Sequence, residues 1–324
     1  MTKAVRVHNY GGPEVLRYED VEVGKPGPGQ LRVRHHAIGV NYIDTYFRTG
    51  QYPAPSLPFV LGNEAAGEVV EVGEGVAGFK PGDRVAYVIT LGNYAEERLA
   101  DVKLVVKLPD SVDYDTAAAM MLKGMTVQYL LRRTFAVKPG DTILFHAAAG
   151  GVGLIATQWA KHLGATVIGT VGSKEKAELA KKNGCDHVIL YREEDVAKRV
   201  REITKGEGVP VVYDGVGKAT FQGSLDSLKP FGVLVSFGSA SGPIEAFNLG
   251  ILAQKGSLYV TRPTLMTHMA KRETLDEIAK DLFDVVGRGA VKIPIHSRRK
   301  LSEAEAVHRA LEGRETTGAT IMHP

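Results

Sequence analysis

The chain has 324 residues, 44% hydrophobic and 24% charged, a composition typical of globular proteins rather than of disordered or fibrous ones. Its 40 basic and 37 acidic residues give a formal net charge of +3, which offers no support for nucleic acid or a membrane as the main partner. The only cysteine, Cys185, excludes an internal disulfide and a cysteine-rich metal site. With no signal-like start and no apolar run of bilayer length, we expect a cytoplasmic protein of two domains.

Residues 1 to about 120 have the pattern of short strands separated by turns. Alternation with a period near two marks the segments Leu31–Arg34, Gly67–Val72 and Arg84–Tyr87. Glycine and proline turns separate them, as at Pro26–Gly29. This pattern predicts a compact, partly closed β-barrel.

From Thr142 onward, apolar strands alternate with helices, which is the pattern of a parallel sheet buried on both faces. The predicted strands are Thr142–His146, Thr166–Thr170, His187–Leu190, Val211–Asp214, Val233–Phe237 and Ser257–Val260. The predicted helices are at about Lys174–Lys182, Asp195–Thr204 and Phe221–Leu228. The fold class is therefore α/β, with a doubly wound six-stranded parallel sheet of the Rossmann type.

Two further helices, from about Arg272 to Val286 and around Ser302–Leu311, follow the predicted sheet. Because the sheet is already complete, the simplest place for them is a return to the first domain. The dinucleotide domain is then an insertion. We expect boundaries at 1–124, 125–261 and 262–324.

A glycine-rich turn joins the first apolar strand to a helical pattern that begins near Gly151. Gly150 and Gly153 match the second and third glycines of the G-x-G-x-x-G fingerprint, and Ala148 stands at the first position. The second glycine lets backbone approach a pyrophosphate, and the helix N-terminus favours negative charge. With the β/α alternations that follow, the turn predicts dinucleotide binding through Gly150, Gly151 and Val152.

The end of the second strand of this sheet indicates which dinucleotide binds. Enzymes that use NAD commonly place an acid there to hold the ribose hydroxyl. Here the strand ends in small residues followed by a hydroxyl and lysines, at Gly172, Ser173, Lys174, Glu175 and Lys176. A 2′-phosphate would find space and cations at this position, so NADPH is the predicted cofactor. In the alternative interpretation, Ser173 only caps a helix and the lysines are solvated.

The whole chain resembles the medium-chain dehydrogenase/reductase superfamily, and within it the zeta-crystallin-like NADPH:quinone oxidoreductase branch. The segments that carry the resemblance are Gly39–Tyr46, Gly62–Gly67, His146–Gly153 and Leu258–Pro263. The resemblance implies that the small barrel is a GroES-like catalytic domain. Zinc-dependent members have cysteine and histidine near the positions of Asn41 and Asn63, and asparagine is not a usual zinc ligand. We therefore expect no metal.

The resemblance also assigns cofactor contacts to matching positions. Tyr191 joins Lys176 on the 2′-phosphate and adenine side. The remaining positions are Asn41, Tyr42, Ile43, Asp44, Thr45, Tyr46, Thr126, Tyr129, Gly215, Val216, Phe237, Gly238, Ser239, Pro263, Thr264, Leu265 and Arg314.

The candidate catalytic residues are Asn41, Asp44, Tyr46 and Tyr52. Aromatic rings with phenol hydroxyls suit a flat quinone, which they can stack on and hydrogen-bond. Asn41 could donate to the same quinone oxygen, and Asp44 could fix its neighbours. In the alternative interpretation, these tyrosines only cover the barrel.

The sequence therefore predicts an NADPH-dependent, zinc-free quinone reductase with its substrate in the cleft between the domains. An alternative on the same scaffold is a reductase of α,β-unsaturated aldehydes or ketones. A third, of another class, is an NADPH-binding structural or RNA-binding protein, which the absence of a basic stripe disfavours. The apolar last strand would be an open sheet edge, and this predicts a homodimer.

Overall fold

The computed structural model describes residues 1–88, 91–313 and 315–324. The chain forms two compact units. The first unit comprises Met1–Met125, Met269–Gly287 and Ile293–Pro324, and the second comprises Thr126–His268 and Arg288–Lys292. The second unit is thus an insertion in the sequence of the first. Residues 262–268 and 288–292 belong to the second unit, whereas the sequence predicts that the return begins at 262. The assignment of 1–124 and 262–324 to catalysis and of 125–261 to cofactor binding remains a prediction.

The first unit is built mainly of short strands. They are β1 (Thr2–Val7), β2 (Leu16–Val21), β3 (Gln30–Val40), β4 (Phe59–Val60), β5 (Glu64–Val72), β6 (Arg84–Val88), β7 (Glu97–Asp101), β8 (Val105–Lys107), β15 (Ile295–Lys300) and β16 (Ala319–His323). Among the described residues the main sheet has the order β15-β16-β3-β5-β6-β8, with β7 also paired to β3, and a smaller sheet has the order β2-β1-β4. The two sheets share an apolar core that includes Val5, Leu31, Val69 and Met322.

The helices of the first unit are α1 (Tyr42–Thr49), α2 (Tyr114–Tyr129, whose last residues pass into the second unit), α9 (Arg272–Gly287) and α10 (Ala304–Glu312). Helix α1 follows β3 directly and ends at Gly50, whose φ of 79° is the left-handed conformation that glycine adopts without strain. The sequence pattern predicts no helix at Tyr42–Thr49, where the structure has α1.

The second unit is a parallel sheet covered by helices. Its strands are β9 (Thr142–Phe145), β10 (Thr166–Val171), β11 (His187–Leu190), β12 (Val209–Asp214), β13 (Leu228–Ser236) and β14 (Tyr259–Thr261). Its helices are α3 (Gly151–His162), α4 (Lys174–Lys182), α5 (Val196–Ile203), α6 (Phe221–Ser227), α7 (Gly250–Gln254) and α8 (Leu265–His268). Within the described residues the strand order is β11-β10-β9-β12-β13-β14 and every pair is parallel. This order confirms the predicted doubly wound sheet.

Side-chain capping explains where several of these helices begin. The Ser173 hydroxyl accepts a hydrogen bond from the Lys176 amide at 3.3 Å, and Asp195 accepts one from the Lys198 amide at 2.9 Å. Helix α4 accordingly has the bounds that the sequence predicts. Strand β13 begins at Leu228, earlier than the predicted Val233, and β14 is Tyr259–Thr261 rather than Ser257–Val260.

In the described part of the chain, no helix combines the length and the apolar character that crossing a bilayer requires.

Candidate active site

The glycine loop of the second unit connects β9 to α3. Gly150 is the N-cap of α3, and the backbone amides of the first turn of α3 have no partner within the helix. A Cβ on Gly153 would lie 2.4 Å from the carbonyl oxygen of Ala147, so only glycine fits there. The loop thus offers amide donors and the positive end of a helix to an anion.

Ala148 stands where the fingerprint has its first glycine. Its methyl group fits because β10 has glycine opposite: a Cβ on Gly169 would lie 2.7 Å from the Cβ of Ala148. The residue with positive φ in this loop is instead Ala147, at 53°. His146, predicted as the last residue of β9, follows the strand and is buried. Its ring lies 3.0 Å from the hydroxyls of Thr170 and Ser224.

The end of β10 carries the residues predicted to select the cofactor. Gly172 lies beside Tyr191, since a Cβ at Gly172 would be 2.6 Å from the Tyr191 hydroxyl. That Cβ would also lie 3.5 Å from Nε of Arg192, a cation that the sequence interpretation did not include. Tyr191 is 43% exposed and Ser173 caps α4. Small residues, a hydroxyl and cations around an open position fit the 2′-phosphate of NADPH.

Glu175 and Lys174 lie on the exposed first turn of α4. A hydrogen bond from its own backbone amide and one from Ser173 lower the pKa of Glu175. Its carboxylate is therefore held at the helix N-terminus, on the turn that Ser173 caps. Lys176 is partly buried in the same turn.

The loops after β12 and β13 pack tightly against each other. A Cβ on Gly238 would lie 2.4 Å from the carbonyl oxygen of Gly215, so the second loop needs glycine. The buried Asp214 orders the first loop by accepting hydrogen bonds from the amides of Val216, at 2.8 Å, and Gly217, at 3.0 Å. The sequence interpretation did not single out Asp214 as the residue that orders this loop. Its place at the end of an apolar strand was the available signal.

Arg262, at the end of β14, holds the second of these loops. Its guanidinium donates to the carbonyl of Gly238 at 2.7 Å and to the hydroxyls of Ser236 and Ser239 at 3.1 Å each. Phe237 and Ser239 are thereby fixed at the end of β13. The predicted nicotinamide-side residues Pro263, Thr264 and Leu265 follow Arg262 directly.

Tyr129 and Thr126, from the end of α2, are both nearly buried within the second unit. The Tyr129 ring stacks on the ring of His268, with centroids 4.5 Å apart and an interplanar angle of 10°. Burial raises the pKa of the Tyr129 phenol, so it stays protonated at neutral pH.

In the first unit, the residues predicted to contact cofactor and quinone lie on α1. Asn41 is its N-cap, and Tyr42, Ile43, Asp44, Thr45 and Tyr46 form its first turns. The rings of Tyr42 and Tyr52 meet Tyr46 edge to face, with centroid distances of 5.7 and 5.2 Å. The structure therefore brings these tyrosines together. Tyr42 and Tyr52 remain partly exposed, while Tyr46 is 9% exposed.

Asp44 is fully buried and lies at the centre of a hydrogen-bond network. Its carboxylate accepts hydrogen bonds from the backbone amide of Asn41 at 2.8 Å, the side-chain amide of Asn63 at 2.7 Å and the Tyr94 hydroxyl at 3.0 Å. Burial raises its pKa to about 6, although these donors and the Lys123 charge oppose the shift. Asp44 therefore ties α1 to the barrel.

The network continues from Tyr94 to α10. The Tyr94 hydroxyl lies 3.1 Å from Nε2 of His308, and Nη1 of Arg48 donates to Nδ1 of the same ring at 2.9 Å. Because an arginine can only donate, Nδ1 must carry the lone pair and Nε2 the proton. Burial and the Arg48 charge lower the pKa of His308 to about 3, so the ring is neutral. Arg48 also pairs with Glu312 at 2.7 Å.

The donor set does not fit zinc. The side chains of Asn41 and Asn63 donate to the carboxylates of Glu64 and Asp44 instead of converging on an open position. Over residues 1–88, 91–313 and 315–324, no cluster of three or more His, Cys, Asp or Glu side chains could hold a metal ion. The absence of a metal stays a prediction that elemental analysis tests.

Arg314, the remaining predicted cofactor contact, lies outside the described residues.

A parallel sheet with a phosphate-binding glycine loop, joined in sequence to a small barrel, is the framework of a nicotinamide-dependent oxidoreductase. Family models described as an alcohol dehydrogenase GroES-like domain and a zinc-binding dehydrogenase match residues 27–110 and 151–280. The chain is 54% identical to the quinone oxidoreductase of Pseudomonas aeruginosa over the whole of both chains. The chain therefore belongs to the quinone oxidoreductase family of the medium-chain dehydrogenase/reductase superfamily, which confirms the resemblance seen in the sequence.

Two other relatives bear on the cofactor and the substrate. The crystal structure of Escherichia coli quinone oxidoreductase complexed with NADPH is 48% identical and superposes with a TM-score of 0.97, over 99% of this chain and 100% of that one. A 2-haloacrylate reductase from a Burkholderia species is 49% identical over 100% of this chain and 99% of its own length.

Proposed function

We propose that this chain catalyses NADPH-dependent reduction of quinones without zinc. The observation that carries the proposal is its full-length similarity to quinone oxidoreductases, one of them crystallised with NADPH. The end of β10 supports it, since the strand itself ends without an acid and is followed by the small residue Gly172, the Ser173 hydroxyl and the lysines Lys174 and Lys176. The cofactor is NADPH.

The second unit holds the dinucleotide in this proposal. The α3 amides at Gly151 and Val152 bind the pyrophosphate, and Lys176 and Tyr191 bind the 2′-phosphate end. Asp214 and Arg262 fix the loops around Gly215, Val216, Phe237, Gly238 and Ser239 through the contacts described above. When bound, NADPH supplies the reducing equivalents, and the protein contributes binding and orientation.

The first unit contributes the aromatic residues that receive the quinone. Tyr42, Tyr46 and Tyr52 offer ring faces and phenol hydroxyls, which suit a flat molecule with oxygens at its edge. Asp44 is buried and engaged on both oxygens, so it acts by holding α1 rather than by contact with substrate. Asn41 is the N-cap of α1 and is 4% exposed.

A second candidate function is reduction of an alkene conjugated to a carbonyl or carboxyl group. The 49% identity to a 2-haloacrylate reductase favours it, because such a substrate resembles half of a quinone. Both substrates accept reducing equivalents at a carbon or oxygen conjugated to a carbonyl. The same cofactor site would serve either reaction.

Steady-state oxidation of NADPH decides between these functions. We expect turnover with 1,4-naphthoquinone and 9,10-phenanthrenequinone, much slower turnover with an alkenal or 2-chloroacrylate, and full activity in a metal chelator. Turnover confined to the alkenal or the haloacrylate would replace the proposal with the second function. One zinc per chain by elemental analysis, lost together with activity, would refute zinc independence.

We further propose that the protein is a cytoplasmic homodimer in which the β14 edges of two sheets pair across a two-fold axis. Strand β14 is the last in its sheet order, and Tyr259 on it is 60% exposed. Sedimentation at micromolar concentration should show a dimer, and Tyr259→Glu should shift it toward monomer. Tyr18→Glu, on an exposed tyrosine of the first unit, is the control and should stay dimeric. A wild-type monomer contradicts the proposal.

A further inference from the structure

Lys123 is a buried cation in the middle of α2. It lies among apolar residues, between Met121 and Met125, and is 5% exposed. Its ammonium donates to Oδ1 of Asn41 at 2.7 Å, the carbonyl of Val40 at 3.2 Å and Oε2 of Glu64 at 3.3 Å. Burying a lysine is unfavourable unless its charge and donors are satisfied. An apolar residue of similar volume would pack there without that requirement.

Glu64 completes the arrangement from the first residue of β5. It is fully buried, and its Oε1 accepts a hydrogen bond from the Leu122 amide at 2.7 Å. Its Oε2 accepts from Nδ2 of Asn41 at 2.6 Å. A Cβ on Gly39 would lie 2.4 Å from Oε2 of Glu64 and 2.1 Å from the carbonyl oxygen of Ala118, so the backbone of β3 is pressed against this carboxylate and α2. The position of the carboxylate is therefore set by the close packing of these elements.

The Asn41 amide lies between these charged groups. Lys123 can only donate and an ionised Glu64 can only accept, so the amide has a single favourable orientation. Its oxygen faces the ammonium, and its nitrogen faces the carboxylate with one of its hydrogens. The second hydrogen on Nδ2 is thereby given a fixed direction as well.

We propose that Lys123 is a positioning residue for the reduction of the acceptor. Lys123 and Glu64 together fix the side-chain amide of Asn41 and the start of α1. The amide then presents an N–H donor rather than its carbonyl to the oxygen of the acceptor. This inference rests on the proposed quinone reductase function. A hydrogen-bond donor held in place stabilises negative charge that develops on such an oxygen, whereas a carbonyl would oppose it.

A pair of double variants tests this role without leaving a lone buried charge. Lys123→Met/Glu64→Gln removes both charges and the donor to Asn41. Lys123→Gln/Glu64→Gln removes both charges but leaves an amide that can donate to Asn41. Lys280→Met, on the exposed face of α9, is the matched control for a lysine in a helix. Melting temperature, kcat with 1,4-naphthoquinone and NADPH affinity by fluorescence are measured for each variant.

We expect the methionine double variant to lose about tenfold or more in kcat, because small misplacements of an orienting group have effects of that size or larger. Its NADPH affinity should stay within about threefold of wild type, since the residues assigned to the pyrophosphate and the 2′-phosphate lie in the second unit, and the glutamine double variant should recover most of kcat. Equal kcat in wild type and the methionine double variant would overturn the proposal. Lys123 would then only balance the charge of Glu64. Equal kcat in the two double variants would also overturn the proposal.

A wild type that is inactive with every quinone refutes the proposed function instead. If the methionine double variant does not fold, Lys123→Leu/Glu64→Gln provides the second test, because it also removes the donor to Oδ1 of Asn41. The proposal expects its kcat to fall below that of the glutamine double variant with little change in KM for NADPH. Equal kcat in these two variants overturns it.

Discussion

Acidification from pH 7 to pH 4.5 is expected to lower the free energy of unfolding by about 2–3 kcal/mol for each of His35 and His308. Burial lowers the pKa of both rings to about 3. The folded protein keeps them neutral, whereas the unfolded chain takes up protons below about 6.5. The contribution of the two neutral rings to the free energy of unfolding is therefore present above about pH 6.5 and is lost as the pH falls toward 3.

Burial is the main reason why these rings resist protonation, and the Arg48 charge adds to it at His308, whereas the bond to Ala95 opposes it at His35. Nδ1 of His308 accepts from Arg48, so a proton there would face a guanidinium. His35 bonds to the carbonyl of Ala95 at 2.6 Å and to the Tyr87 hydroxyl, and it is 4% exposed. Asp44 has the opposite effect. Its pKa is raised to about 6, so its contribution to stability is present at low pH and lost as the pH rises through 6.

Urea titrations followed by far-ultraviolet circular dichroism at several pH values measure this dependence. His308→Gln can accept from Arg48 and donate to Tyr94 without titrating, so its loss of stability on acidification should be about 2–3 kcal/mol smaller than that of wild type. His162→Gln, on an exposed surface, should behave as wild type. If His308→Gln and wild type lose the same free energy, the ring is not held neutral in the way described.

Lys176→Ala is expected to weaken NADPH binding by about 1.5–3 kcal/mol, or tenfold or more, and to leave NADH binding nearly unchanged. The reason is loss of a charge-assisted contact with the 2′-phosphate, which NADH lacks. Ser173→Asp should have a larger effect. Aspartate caps a helix as well as serine does, so α4 should persist while a carboxylate repels the phosphate and offers a partner to the ribose hydroxyl.

Titration of wild type and both variants with each cofactor, followed by nicotinamide fluorescence or calorimetry, gives the affinities needed. Lys182→Ala, in the last turn of the same helix, is the control and should change neither affinity. Wild type that binds NADH as tightly as NADPH would contradict the cofactor assignment at this site. Equal weakening of both cofactors by Lys176→Ala would show that the lysine is only a surface charge.

The second unit was largely predictable from the sequence, because the signals that define its strands, turns and helices lie close together along the chain. Apolar strands, a glycine turn and the cap at Ser173 follow one another along the chain. The first unit was less predictable, and the strands β15 and β16 were missed. Strand β15, with Arg298, Arg299 and Lys300, does not have the apolar alternation that marks a strand, since it lies at the edge of its sheet.

The buried network was also missed, for a physical reason. Its members lie far apart in the sequence, and Arg48, Tyr94 and His308 each look like ordinary surface or barrel residues until the fold brings them together. Lys123 gave a weak signal, as a single charge within the apolar run Met120–Met125. The role of the candidate tyrosines stays a prediction, and their mutual packing depends on α1, which was not predicted.

The position of β16 in the main sheet of the first unit affects the order in which the chain can fold during synthesis. Strand β16 lies between β15 and β3 and pairs with both, yet it is made after the whole parallel sheet of the second unit. On the ribosome, the second unit can therefore fold while Ile38–Val40 of β3 still lack the strand that pairs with them. Such an edge can pair with other chains until β16 is made.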